Sequence, residues 1–136
     1  MGCCGITVFQ RAPEIDNATN RAGLMAGLKT LQGKYDQEAK EINAHLKNGT
    51  PIKNESLNQM DNASLTKRVP YLGELADSFT TIIQTINKCN DSLPLQQAKD
   101  LLQQCYANYF HAYDDNKGYQ KDQKNFTDFA EPYKKK

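Results

Sequence analysis

The chain has 136 residues, 38% of them hydrophobic and 24% charged, with a formal net charge of +1. That length fits one domain with a core of its own, and 17 basic against 16 acidic side chains leave no surplus to neutralise phosphates, which argues against a nucleic-acid binder. No run approaches the roughly 20 apolar residues that span a bilayer, and a mean hydropathy of -0.76 suits helices that each bury one narrow face.

Residues 1–13 (MGCCGITVFQRAP) read as a leader arm, and residues 14–136 as a single helical-bundle domain. The leader is small and sulfur-rich, then β-prone through Ile6, Val8 and Phe9 up to Pro13. Its start resembles a dual-acylation signal: Gly2 takes myristate once Met1 is removed, and Cys3 or Cys4 takes palmitate. The usual motif places Ser or Thr where this chain has Ile6, and Thr7 comes one residue late. There is no basic region followed by a long apolar stretch, so the expectation is a cytoplasmic chain tethered to the inner membrane face by Gly2, Cys3 and Cys4. Two lipids matter, because one myristoyl chain binds only marginally.

From Asp16 to Leu46 the apolar residues Leu24, Leu28, Leu31, Tyr35, Ala39, Ile42 and Leu46 step by three and four, the mark of one helical face. Asn48-Gly49 followed by Pro51 predicts its end. Gly23, Gly27 and Gly33 inside it imply close packing by another helix or fraying. Residues 54–68 predict a weaker helix with Leu57, Met60 and Leu65, interrupted at Val69-Pro70 because the residue before proline avoids the α region; Pro70 then opens the next helix. Leu72, Leu75, Phe79, Ile82 and Ile86 mark that helix, over 71–89. After the turn CNDSLP, with Ser92 as N-cap, Leu95, Ala98, Leu102, Cys105, Tyr109 and Tyr113 mark another. The two form an expected αα-hairpin packed on the first helix. A short helix around Asn125–Phe129 precedes Pro132. The fold class is therefore all-α, a small antiparallel bundle of four to five helices.

Reactive chemistry finds little footing. His45 and His111 have no helical ligand partners, the paired Glu-x-x-His motifs of di-metal bundles are missing, and DDNKG (114–118) puts Tyr113 and Lys124 where a calcium loop needs acids. Neither a G-x-S-x-G elbow nor a phosphate loop occurs. Cys105 lies on an apolar stripe, and Cys89 and Cys105 are expected to stay unpaired. No catalytic residue, metal or cofactor is expected.

Eight of the twelve aromatics lie in the last 31 residues, interleaved with lysines. Tyr106, Phe110, Tyr119, Phe126, Phe129 and Tyr133 are the candidates for a partner-binding surface, weighed against a C-terminal segment that simply docks on the bundle. Six N-x-[ST] sequons occur, at Asn17, Asn48, Asn54, Asn62, Asn90 and Asn125, where twelve Asn and 13 Ser and Thr give about one by chance. In a secreted protein this excess indicates glycosylation; here the residues are read as helix punctuation, because Asn, Ser and Thr cap helix ends. The functional expectation is a non-enzymatic interaction module with a protein partner and an acylated contact to a membrane, the alternative being a helical carrier or sensor for an apolar ligand.

Overall fold

The computed structural model describes residues 11–111 and 118–135. Its elements are α1 (Pro13–Asp16), α2 (Arg21–Asn48), α3 (Glu55–Asn58), α4 (Asn62–Lys88), α5 (Leu95–His111) and α6 (Gly118–Ala130), followed by a 3-10 turn over Glu131–Tyr133. Among the described residues there is no strand, only an isolated antiparallel bridge between Cys89 and Lys134. The all-α bundle expected from periodicity is the fold.

Helix α2 begins where the Asn20 side chain accepts the Gly23 N–H at 2.7 Å. It ends at Gly49, whose φ of 72° is the left-handed cap that glycine adopts without strain. The start was expected at Asp16; instead Pro13–Asp16 makes a separate turn that buries Ile15. Gly27 explains how α1 docks: a Cβ there would lie 2.1 Å from the Glu14 carbonyl oxygen. Of the two alternatives for the glycines, close packing holds at Gly27, although the packing partner is one turn rather than a full helix. Gly33 has open space around it.

Helix α4 corrects two boundaries. Asp61 caps it by accepting the Ser64 N–H at 2.8 Å, and it then runs unbroken through Pro70. A proline inside a helix costs about 3 kcal/mol. The helix continues because Leu65 on one side and Tyr71, Leu72 and Leu75 on the other are all buried, each worth about 1.5–3 kcal/mol. Pro70 itself is exposed.

The seven side chains expected in the core (Leu31, Leu72, Leu75, Phe79, Ile82, Ile86 and Leu102) are all buried. Their partners differ from the hairpin expectation. Helix α4 packs chiefly on α2 and also on α6, whereas α5 packs on α6 and on α1. Helices α2 and α4 are antiparallel: Gln32 donates to the Ala76 carbonyl at 2.6 Å, and Arg68 pairs with Glu38 at 3.1 Å. Helices α4 and α6 run parallel, since Ser78 meets Gln123 at 2.5 Å and Cys89 meets the Ala130 carbonyl at 3.6 Å. Helix α6 thus takes the place beside α4 that the sequence reading assigned to α5. The physical reason is a second buried stripe on α4, Tyr71, Ser78, Thr85 and Cys89, in which small polar side chains conceal the packing face.

The same substitution should act oppositely at two glycines of α2. Gly27→Ala should destabilise the protein, because its Cβ meets backbone, whereas Gly33→Ala should stabilise it by up to about 1 kcal/mol through helix propensity. Urea denaturation of the two variants checks both signs.

Candidate functional site

The C-terminal aromatics form a graded row. Phe126 is fully buried; Phe129 and Tyr133 are half-buried and packed against the core. Ring centroids are 6.0 Å apart between Phe126 and Phe129 and 5.8 Å between Phe129 and Tyr133, tilted as aromatic pairs prefer. Beyond them the tail is pinned to the end of α4: Asn90 N–H donates to the Tyr133 carbonyl at 2.9 Å, and Lys135 N–H to the Lys88 carbonyl at 2.8 Å.

The candidate contact residues therefore do not form one patch. Phe126 belongs to the core, since its position on α6 faces α4 and α5. Tyr106 is half-buried on the opposite side, where its charge would be felt by Glu14, Lys34 and Glu38 and burial raises its pKa. Tyr35 stacks on Phe79 at 5.5 Å and neighbours both Tyr106 and Tyr71, with burial pushing its phenol well above the usual range. The side chains of Phe110 and Tyr119 lie outside the described residues, as do Gly2, Cys3 and Cys4. Phe129 and Tyr133 are the pair that the fold brings together at the surface.

At the other end of the chain, the described part of the leader is held rather than loose. Gln103, 4% exposed on α5, clamps the Ala12 backbone from both sides. It accepts the Ala12 N–H at 2.8 Å and donates to the Ala12 carbonyl at 2.9 Å. Sequence periodicity does not reveal this residue, because a glutamine on a helix reads as solvent-facing. Arg11 forks onto Asp16 at 2.9 and 3.0 Å, and Lys34 of α2 pairs with Glu14. The Arg11 hydrogen bond holds the Asp16 carboxyl below its ordinary pKa. Burial opposes ionisation of Glu14, but Lys34 and a backbone N–H outweigh it and lower its pKa too.

Two grooves open on the surface. One, of about 300 Å³, runs between α4 and α6 and is lined by Glu74, Asp77, Ser78, Thr81, Gln120 and Gln123. The other lies between the start of α2 and the 89–94 turn, where Arg21 pairs with Asp91 at 3.2 Å. The first is lined entirely by polar and charged side chains, whereas the second mixes Arg21 and Asp91 with Ala22, Leu93 and Leu95. Among the described residues no three His, Cys, Asp or Glu side chains gather as a metal site, and no helix is long and apolar enough to cross a membrane. Cys89 and Cys105 are buried free thiols; burial raises the Cys89 pKa, which makes it a poor nucleophile. No protein-family model, curated protein or solved structure matches the chain.

Two outcomes follow from the clamp and the carboxylates. Gln103→Leu leaves the Ala12 N–H and C=O without partners, so it should cost about 1–3 kcal/mol, with faster hydrogen exchange at the Ala12 amide. Asp16, Glu14 and Asp61, the last lowered by the Ser64 N–H, titrate below their unfolded values. Their stabilisation is complete above about pH 5 and is lost as the pH falls through the lowered values. Asp61→Asn keeps the cap but removes one titration, so an acid unfolding curve followed by circular dichroism should become shallower.

Proposed function

We propose that this chain is a non-enzymatic helical interaction module, an adaptor, regulator or effector in kind, that engages a protein partner through Phe129 and Tyr133. The observation that supports this reading is the graded row of rings, with Phe126 anchored in the core and the next two half-exposed. Interface centres are enriched in such aromatic area, and rings held from beneath lose little freedom on binding. Lys124, Asp128, Glu131, Lys134 and Lys135 surround the row with mixed charge, as a polar rim does.

The address of the module is a separate matter with two competing sequence signals. Gly2, Cys3 and Cys4 support a cytoplasmic, membrane-tethered form, and this rests on the motif alone. The six sequons support the opposite face of the membrane.

The test is affinity capture with the full chain, comparing wild type with a Phe129→Ala/Tyr133→Ala variant of equal helicity. A partner held by the wild type and weakened at least tenfold by the variant is the expected result. Equal retention of every captured protein, together with a small apolar molecule carried by the protein in native mass spectrometry, would transfer the assignment to a helical carrier.

A further inference from the structure

The sequon excess was explained by capping, and the structure permits that explanation to be checked residue by residue. The side-chain caps of the two long helices α2 and α4 are Asn20 and Asp61. Neither is a sequon asparagine, since Asn20 is followed by Arg21 and Ala22. Two sequon asparagines do act as punctuation. The Asn90 side chain accepts the Ser92 N–H at 2.9 Å in an Asx turn, and half-buried Asn54 opens α3, its backbone carbonyl accepting the N–H groups of Leu57 and Asn58 at 3.1 and 2.9 Å.

The other four carry no such side-chain cap, although the Asn17 N–H closes α1 on the Pro13 carbonyl at 2.8 Å and the Asn62 carbonyl accepts the Thr66 hydroxyl at 2.7 Å. Asn17 follows α1, Asn48 is the last residue of α2, Asn62 is the first of α4 beside its true cap, and Asn125 lies inside α6. All four are exposed, and among the described residues their carboxamides have no hydrogen-bond partner. The hydroxyl residues two places on, Thr19, Thr50 and Ser64, are exposed, and Thr127 is half-buried. Side-chain engagement therefore does not explain Asn17, Asn48, Asn62 and Asn125, four sequons with exposed carboxamides against about one expected by chance for the whole chain.

We infer that Asn17, Asn48, Asn62 and Asn125 are N-glycosylation acceptors and that this domain matures on the lumenal side of a membrane. The reaction needs a donor of one chemical class, an oligosaccharide on a polyprenyl pyrophosphate. The carboxamide nitrogen attacks the anomeric carbon, the C–N bond forms as the C–O bond to pyrophosphate breaks, the lipid pyrophosphate leaves with the bonding pair, and the amide gives up one proton. A glycan is bulky and polar, so only a surface asparagine is compatible with the folded chain. Four exposed carboxamides outside the core meet that requirement. Cys89 and Cys105, both fully buried, present no sulfur for exchange in either compartment. Acylation of Gly2 takes place on the cytoplasmic side, so the two addresses exclude one another. The interaction reading does not depend on either, although a glycan on Asn125 would sit one helical turn before Phe129 and border the ring row.

The experiment is expression of the full chain behind a cleavable secretory signal in eukaryotic cells, followed by peptide mapping before and after an amidase that releases N-glycans. Slower-migrating forms that collapse on treatment, with Asp replacing Asn at these four positions, are expected. An Asn→Gln variant at all four should migrate as the unmodified chain while keeping its helicity. Unmodified asparagine at all four positions overturns the inference. The secreted product is expected to be soluble and helical, and a glycosylated form that fails to fold also overturns the inference; a second arm keeps the chain's own N-terminus, where Gly2 without an acyl chain is expected and Gly2 acylated on the bulk of the protein overturns the lumenal address. Capture of the same partner by the Asn125→Gln protein separates a failure here from a failure of the interaction reading.

Discussion

Helix α4 has to satisfy two neighbours at once, and the arrangement of the bundle follows from how it does so. Towards α2 it presents large apolar side chains, with Phe79 stacked on Tyr35, and the apolar area removed from water is the main stabilising contribution there. Towards α6 it presents Ser78 and Cys89, small enough to let the helices approach. Burying hydroxyls is costly unless each is bonded. Ser78 meets Gln123 across the interface, and Thr85 turns its hydroxyl back to the Thr81 carbonyl at 2.8 Å within its own helix. That pairing satisfies the buried hydroxyl where α4 and α6 approach in parallel.

Gln103 answers the same problem at the other side of the bundle. The segment before α1 enters the core at Ala12, fully buried, where backbone N–H and C=O have no sheet or helix to join. One glutamine supplies both partners, as a neighbouring strand would. The clamp, the Gly27 seat beneath Glu14 and the Lys99 ammonium on the Ala18 carbonyl at 2.7 Å fix residues 12–18 across α2 and α5. Directly neighbouring contacts between α2 and α5 are sparse, so this strap is what closes the bundle on that side.

How much of this could be read beforehand depends on which residues carry each contact. Leu24, Leu28, Leu31 and Ile42 on α2, and Leu72 to Ile86 on α4, are apolar at helical spacing, and both faces are where periodicity put them. Gly49 ends α2 as its backbone freedom predicts. Helix α6 was legible only around Phe126, because the rest of Gly118–Ala130 is polar and helical by packing rather than by pattern. Pro70 misled because a local rule about proline was weighed without the tertiary burial on both sides of it. The pairing of α4 with α6 was hidden in Ser78, Thr85 and Cys89, whose small polar side chains do not enter a hydrophobic stripe. The aromatic row was half legible: its residues stand out in the sequence, but which ring is core and which is surface depends on the rotation of α6, set by Gln123 and Ala130.

The asparagines reverse the usual relation between motif and structure. A sequon is a weak pattern by itself, and asparagine has a respectable structural use at helix ends. What separates the two uses is whether the carboxamide is engaged. In this bundle the ends of the long helices are served by Asn20, Asp61 and Gly49, so the capping requirement is met by other residues. An exposed, unengaged carboxamide contributes little to stability; Ser64 joins the Asp61 cap and Thr127 bonds the Lys124 carbonyl, but folding gives no reason for asparagine to stand two places before them or before Thr19 and Thr50. The spacing is then a requirement of something outside the fold. A transferase that reads asparagine and hydroxyl together is an agent whose chemistry needs that spacing, and that argument, rather than the count of sequons, is what sets these four positions apart from Asn54 and Asn90.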